Sequence, residues 1–109
     1  MSNDNDHKEP EELRARLRTL SYISVYTPPT KITYFEGELF DTTGMVIKAY
    51  YSDGTNEVVN LYVYAPQIAL TTSDTYITIT YSGKTTTQSI TVNPILTSIS
   101  IYLYFFKYE

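Results

Sequence analysis

The chain has no cysteine and no tryptophan, and only one histidine and four glycines among its 109 residues. Without cysteine, no disulfide can hold the fold, so a hydrophobic core must do so alone. The single histidine, His7, lies in a polar opening stretch, which excludes a Ser-His-Asp triad or a histidine metal centre. Glycine-rich phosphate loops, Cys-x-x-Cys pairs and Asn-x-Ser/Thr acceptors are also missing. Positive charge is scarce: the formal net charge is −4, and the basic residues after Arg18 (Lys31, Lys48, Lys84 and Lys107) are scattered rather than clustered. That argues against nucleic acid as a partner. No apolar run approaches the roughly 20 residues a membrane span needs. The opening Met-Ser-Asn-Asp-Asn-Asp-His-Lys is polar where a leader peptide would be apolar. The chain is therefore expected either to be a piece of a larger exported protein or to reach the outside by a route such as virion assembly. No cofactor, metal or enzyme activity is expected.

What is present is strand-forming. Thr, Ser, Tyr, Ile and Val crowd residues 20–108, while good helix formers are confined to the first twenty positions. The length fits one domain plus tails. Residues 1–9 are charged and polar and are expected to be disordered. A short helix or linker is predicted over 10–19, with Pro10 at its first turn, Glu11 and Glu12 at the positive end of its dipole, and Arg14, Arg16 and Arg18 toward the negative end. Leu13, Leu17 and Leu20 form a narrow apolar stripe there. It suits either a frayed linker docked on the domain or the end of an oligomerising coiled coil.

Strands are predicted at Ser21–Tyr26, Lys31–Phe35, Met45–Tyr51, Glu57–Tyr64, Ile68–Thr72, Thr75–Tyr81 and Thr85–Val92. These seven short antiparallel strands have turn signals between them, the layout of a two-sheet sandwich. Met45, Ile47, Ala49 and Tyr51 alternate with Val46, Lys48 and Tyr50, and Lys48 marks the wet face. Asp53-Gly54 then signals a hairpin into the next strand. The expected core is Ile23, Val25, Phe40, Met45, Ile47, Ala49, Tyr51, Val58, Ile77, Ile79, Tyr81, Ile90 and Val92, with Tyr34 in phase with it. Tyr22, Tyr26 and Tyr50 fall on the opposite phase and point outward. They form either a binding platform for a sugar or protein, or cross-strand pairs that stabilise the sheet. Glu36, Glu38 and Asp41 could be read as a cation site, but solvating a bend suits them better.

The run from Tyr34 to Thr55, with Gly37 and Gly44 bracketing Phe40 and the Asp53-Gly54 turn, resembles the core signature of bacterial immunoglobulin-like domains. The start Leu20-Ser-Tyr-Ile-Ser-Val-Tyr26, followed by Pro28-Pro29-Thr30-Lys31, resembles the opening of modules in tandem arrays of that family. The resemblance covers residues 20–94. It implies an immunoglobulin-like sandwich acting as a non-catalytic structural or adhesive module of a surface-exposed bacterial or phage protein, at the cell surface or on a virion, with a protein or glycan partner. Two rival roles are a carbohydrate-binding accessory domain of a secreted polysaccharide-active enzyme and a self-assembling virion or fibre component.

The opening strand returns as Leu96-Thr-Ser-Ile-Ser-Ile-Tyr102, so residues 95–109 read as the start of a second repeat. Where the first copy has Thr27-Pro28-Pro29-Thr30, the second has Leu103-Tyr104-Phe105-Phe106. An uncovered strand of this composition is prone to aggregate. It is expected to add as an extra strand to its own sandwich, to pair with another copy of the chain, or to be a truncated repeat; in the second case Ile101, Leu103 and Phe105, together with Leu13, Leu17 and Leu20, are candidates for self-association in a homo-oligomer.

Overall fold

A computed structural model describes residues 18–95, which hold eight strands. These are β1 (Leu20–Thr27), β2 (Thr33–Phe35), β3 (Val46–Tyr51), β4 (Asn56–Val59), β5 (Val63–Ala65), β6 (Tyr76–Tyr81), β7 (Lys84–Ser89) and β8 (Thr91–Asn93). Strands β1-β3-β4 form one antiparallel sheet, β5-β6-β7 form a second, and β2 and β8 make a short parallel pair. The expected all-β sandwich is what forms, with eight strands in place of seven and one pair parallel. Arg18 and Thr19, the last two residues of the predicted helix, are not helical. The rest of that helix and residues 96–109 lie outside the described residues.

The two-residue period of β3 works as the sequence requires: Ile47 and Ala49 are fully buried, with Lys48 between them half-exposed. The hairpin after it differs from the predicted one by a single residue. A two-residue turn at Asp53-Gly54 would set Ala49 opposite Val58, but the loop is one residue longer, and the register pairs Ala49 with Glu57 and Ile47 with Val59. A one-residue slip exchanges the faces of a strand. Val58, expected in the core, is therefore 51% exposed, and Val59 takes its place at 6%.

Other predicted strands divide where the chain changes layer. The run 57–64 breaks after Val59, and β4 and β5 belong to different sheets. The run 85–92 breaks at the buried Ile90, whose N–H donates to the Thr75 carbonyl, so β7 stays in the second sheet and β8 joins β2. Uniform β propensity across each run hides these crossings. Only Thr33–Phe35 of the predicted 31–35 strand is extended into pairing, and it pairs with β8. Ile68–Thr72 is a loop, not a strand. Its Leu70 is nonetheless buried, held by backbone bonds in which the Leu70 N–H donates to the Glu38 carbonyl and the Gly37 N–H to the Leu70 carbonyl.

The core joins Ile23, Ile47, Ala49 and Val59 of the first sheet to Ile77 and Ile79 of the second, with Tyr34, Phe40, Leu70, Ile90 and Val92 filling between them. Val25, Met45, Tyr51 and Tyr81 pack on it half-buried. Each fully buried isoleucine contributes roughly 2 kcal/mol of apolar burial. Phe40 lies between two tyrosine rings, tilted against Tyr34 at 6.0 Å and edge-on to Tyr64 at 5.5 Å. The bend that delivers it depends on Gly44, whose φ is +84° and whose missing Cβ would meet the Thr30 Oγ1 at 2.5 Å.

The chain enters and leaves this sandwich at opposite ends. β1 begins beside the β3–β4 hairpin, with Leu20 opposite Tyr51 and the Ser52 N–H bound to the Thr19 carbonyl. Tyr81 neighbours Tyr51, so the β6–β7 hairpin lies at that same end, and β7 starts from it. From there β7 and β8 run the length of the module. They finish beside Phe35 and Glu36, where the Glu36 N–H donates to the Asn93 carbonyl and the Ile95 N–H to the Glu36 carboxylate.

Candidate functional site

The outer face of the β1-β3-β4 sheet gathers the tyrosines singled out by the sequence. Tyr22 lies opposite Tyr50, and Ser24 opposite Lys48; across β3, Lys48 faces Val58 and Tyr50 faces Asn56. The rings of Tyr22 and Tyr50 stack with centroids 4.6 Å apart and planes 8° from parallel. The Lys48 ammonium lies 3.8 Å from the centroid of the Tyr26 ring, a cation–π contact. All three tyrosines are thus brought to one face, as the alternation predicts, and Tyr22 and Tyr26 are more than half exposed. The stack occupies one face of each ring, so the rings stand on edge rather than lying flat as a sugar platform. Lys48 is a member of this face that the aromatic count alone did not reveal. Its position opposite Ser24, one step from Tyr26 on the same side of β1, is the signal.

At the entry end, Arg18 is folded over the Tyr51 ring at 3.8 Å. Its guanidinium donates to the Thr55 hydroxyl at 3.0 Å and pairs with Glu57 at 3.8 Å. The Tyr51 hydroxyl donates to Glu57 at 2.6 Å. That hydrogen bond to a carboxylate, reinforced by burial and by Glu57's negative charge, pushes the Tyr51 pKa up to about 12. Arg18 and Glu57 thus close the end of the core.

Glu38 and Asp41 each serve a local turn, whereas Glu36 accepts the N–H of Ile95, 59 residues on. Glu38 accepts the Phe35 N–H and pairs with Lys31 at 3.2 Å, and both contacts hold its pKa below the ordinary range. Asp41 accepts the hydroxyl and the N–H of Thr43, which lowers its pKa likewise. Asp53 does the same for Thr55, and Asp74 accepts the Thr71 N–H. Among the described residues no group of acidic or histidine side chains is arranged to hold a metal ion.

Of the residues proposed for self-association, Leu20 lies in β1 and packs against the core, where a helical stripe cannot use it. Leu13, Leu17, Ile101, Leu103 and Phe105 lie outside the described residues.

The family model described as Bacterial Ig-like domain (group 3) matches residues 27–92, more than half of the chain. No curated protein matches it.

Proposed function

We propose that this chain, which belongs to the bacterial Ig-like domain family, is a non-catalytic spacer module of a surface-exposed bacterial or phage protein. The observation that carries this reading is the path of the backbone. The chain enters beside Tyr51 and leaves beside Phe35 and Glu36, at opposite ends of the sandwich. Each module in a series then adds its full length to a stalk. The charged side chains support the same reading, because Glu38, Asp41, Asp53 and Arg18 tighten turns and one end of the core, which makes a rigid unit. Adhesion through the Tyr22, Tyr26, Lys48 and Tyr50 face is a secondary role that gains strength only when many modules are displayed together.

The test is single-molecule stretching of the chain held by its two ends. A spacer ruptures in one cooperative event. Gradual lengthening at low force would remove this reading. Beads carrying many copies, compared with a Tyr22→Ser, Tyr26→Ser, Tyr50→Ser form on glycan and cell-wall surfaces, test the adhesive role.

A further inference from the structure

We propose that the Asp53-Gly54 peptide is a latent self-modification site, where this chain ages by aspartate isomerisation, and that Thr55, set by Arg18, holds the site closed. Asp53 is the one Asp or Asn followed by glycine in the chain. The reaction needs only water. The Gly54 nitrogen attacks the carbon of the neutral Asp53 side-chain carboxyl and a C–N bond forms. The carboxyl OH departs with the amide proton as water, leaving a five-membered succinimide. Water then adds at one of the two ring carbonyls and breaks its C–N bond. Opening at the main-chain carbonyl sends the backbone through the former side chain, an isoaspartate of unchanged mass. Glycine permits this attack because no Cβ crowds the nitrogen. Here both residues are exposed, and nothing lies within 4 Å of where a Gly54 Cβ would stand. Asp41 and Asp74 are followed by threonine, whose branched β carbon hinders the same step.

The fold occupies both reacting groups. The Gly54 N–H donates to the Tyr51 carbonyl at 3.0 Å, which commits the nitrogen to the turn. The Asp53 Oδ1 accepts the Thr55 N–H at 3.0 Å and the Thr55 hydroxyl at 2.6 Å, a side-chain turn of the kind Asp favours. Those two bonds also favour the ionised carboxylate, whereas the attack requires the neutral acid. The Thr55 hydroxyl is itself oriented: it accepts the Arg18 guanidinium at 3.0 Å, so its proton is turned toward Asp53. Arg18 rests on the Tyr51 ring and pairs with Glu57. The restraint therefore reaches the hairpin from the segment that enters the domain, and drawing Arg18 away frees first the Thr55 hydroxyl and then the carboxylate. The product does not close again. Isoaspartate adds one carbon to the main chain of the loop that sets Ile47 opposite Val59, and it shortens the carboxylate arm that reached Thr55. This inference is independent of the spacer reading, because it rests on the hairpin and Arg18 alone.

The experiment ages the full chain at neutral pH and raised temperature, in native buffer and in denaturant. Isoaspartate is counted by enzymatic methyl transfer to its free carboxylate and located at residue 53 by electron-transfer fragmentation. Losing hydrogen bonds to a charged group should matter strongly, so the folded chain is expected to react about tenfold more slowly than the denatured one, or slower still. In native buffer Thr55→Val, which keeps the shape but not the hydroxyl, should recover much of the denatured rate. Thr55→Ser keeps the hydroxyl and should stay close to the unsubstituted chain, and Arg18→Ala should fall between. Unfolding curves for each variant supply the unfolded fraction, whose share of the rate is subtracted. A folded chain that reacts at the denatured rate would overturn the proposal. So would a corrected rate for Thr55→Val or Arg18→Ala equal to that of the unsubstituted chain.

Discussion

Tyr22 and Tyr50 face each other across β1 and β3 as a parallel stack, 4.6 Å between ring centres, on the outer face of the sheet. Stacked aromatic pairs of this kind contribute about 0.5–1.5 kcal/mol beyond their burial. A double-mutant cycle of Tyr22→Ser and Tyr50→Ser, read by denaturant unfolding, should give a coupling of about 1 kcal/mol. Additive losses would show that the rings do not support one another and would free them for a ligand.

Tyr34 is buried, and its hydroxyl accepts the Asp41 N–H at 3.0 Å while donating to the Lys31 carbonyl at 3.1 Å. Tyr34→Phe keeps the ring and leaves both backbone groups short of a partner. The expected loss is about 1–3 kcal/mol of stability, with the unfolding slope unchanged. A loss below about half a kcal/mol would mean that water replaces the hydroxyl.

The one-residue register of the β3–β4 hairpin separates two adjacent valines. Val59→Ala opens space in the core and should cost roughly 2 kcal/mol, whereas Val58→Ala on the exposed face should change stability by about 0.5 kcal/mol or less. Equal effects would contradict the pairing of Ile47 with Val59.

Tyr51 holds its proton more tightly in the folded chain, up to about 12 against an ordinary 10.0. The folded state therefore binds more protons than the unfolded one between those values. Tyr51's contribution is fully present below pH 10 and is lost as pH rises toward 12. Glu57→Gln removes the accepting charge, so part of the tyrosinate absorbance that appears late in an alkaline titration should move earlier. An unchanged titration would place the cause elsewhere.

On the acid side the sign reverses. Glu38, Asp41 and Asp53 are held below their ordinary values of 4.5 and 3.8, so they favour the fold above that range and lose this effect as pH falls through their lowered values. Asp41→Asn with Asp53→Asn should flatten the fall in stability measured below about pH 4. A parallel fall in both forms would assign the acid sensitivity to other groups.

The alternation of Met45–Tyr51 was enough to find the buried faces of β3, and the opposite phase correctly placed Tyr22, Tyr26 and Tyr50 outside. Those features depend on a strand's own period. The misplaced Val58 depends on loop length, which Asp53-Gly54 does not specify. The breaks after Val59 and at Ile90 depend on which sheet offers the next partner, and no local residue pattern records that. The burial of Leu70 is not legible in a strand period, because it comes from a loop held by two backbone bonds.

The parallel pairing of β2 with β8 has a mechanical meaning. Traction on the entry end draws β2 one way through β1, while traction on the exit end draws β8 the other way, along the same line. The rungs at Thr33–Thr91, Tyr34–Val92 and Phe35–Asn93 are then strained in shear, all together, where a hairpin pulled from its open end would yield one rung at a time. Three short rungs beside Tyr34 and Val92 thus act as a latch of the module, loaded in shear behind the β1–β3 ladder that traction on the entry end meets first.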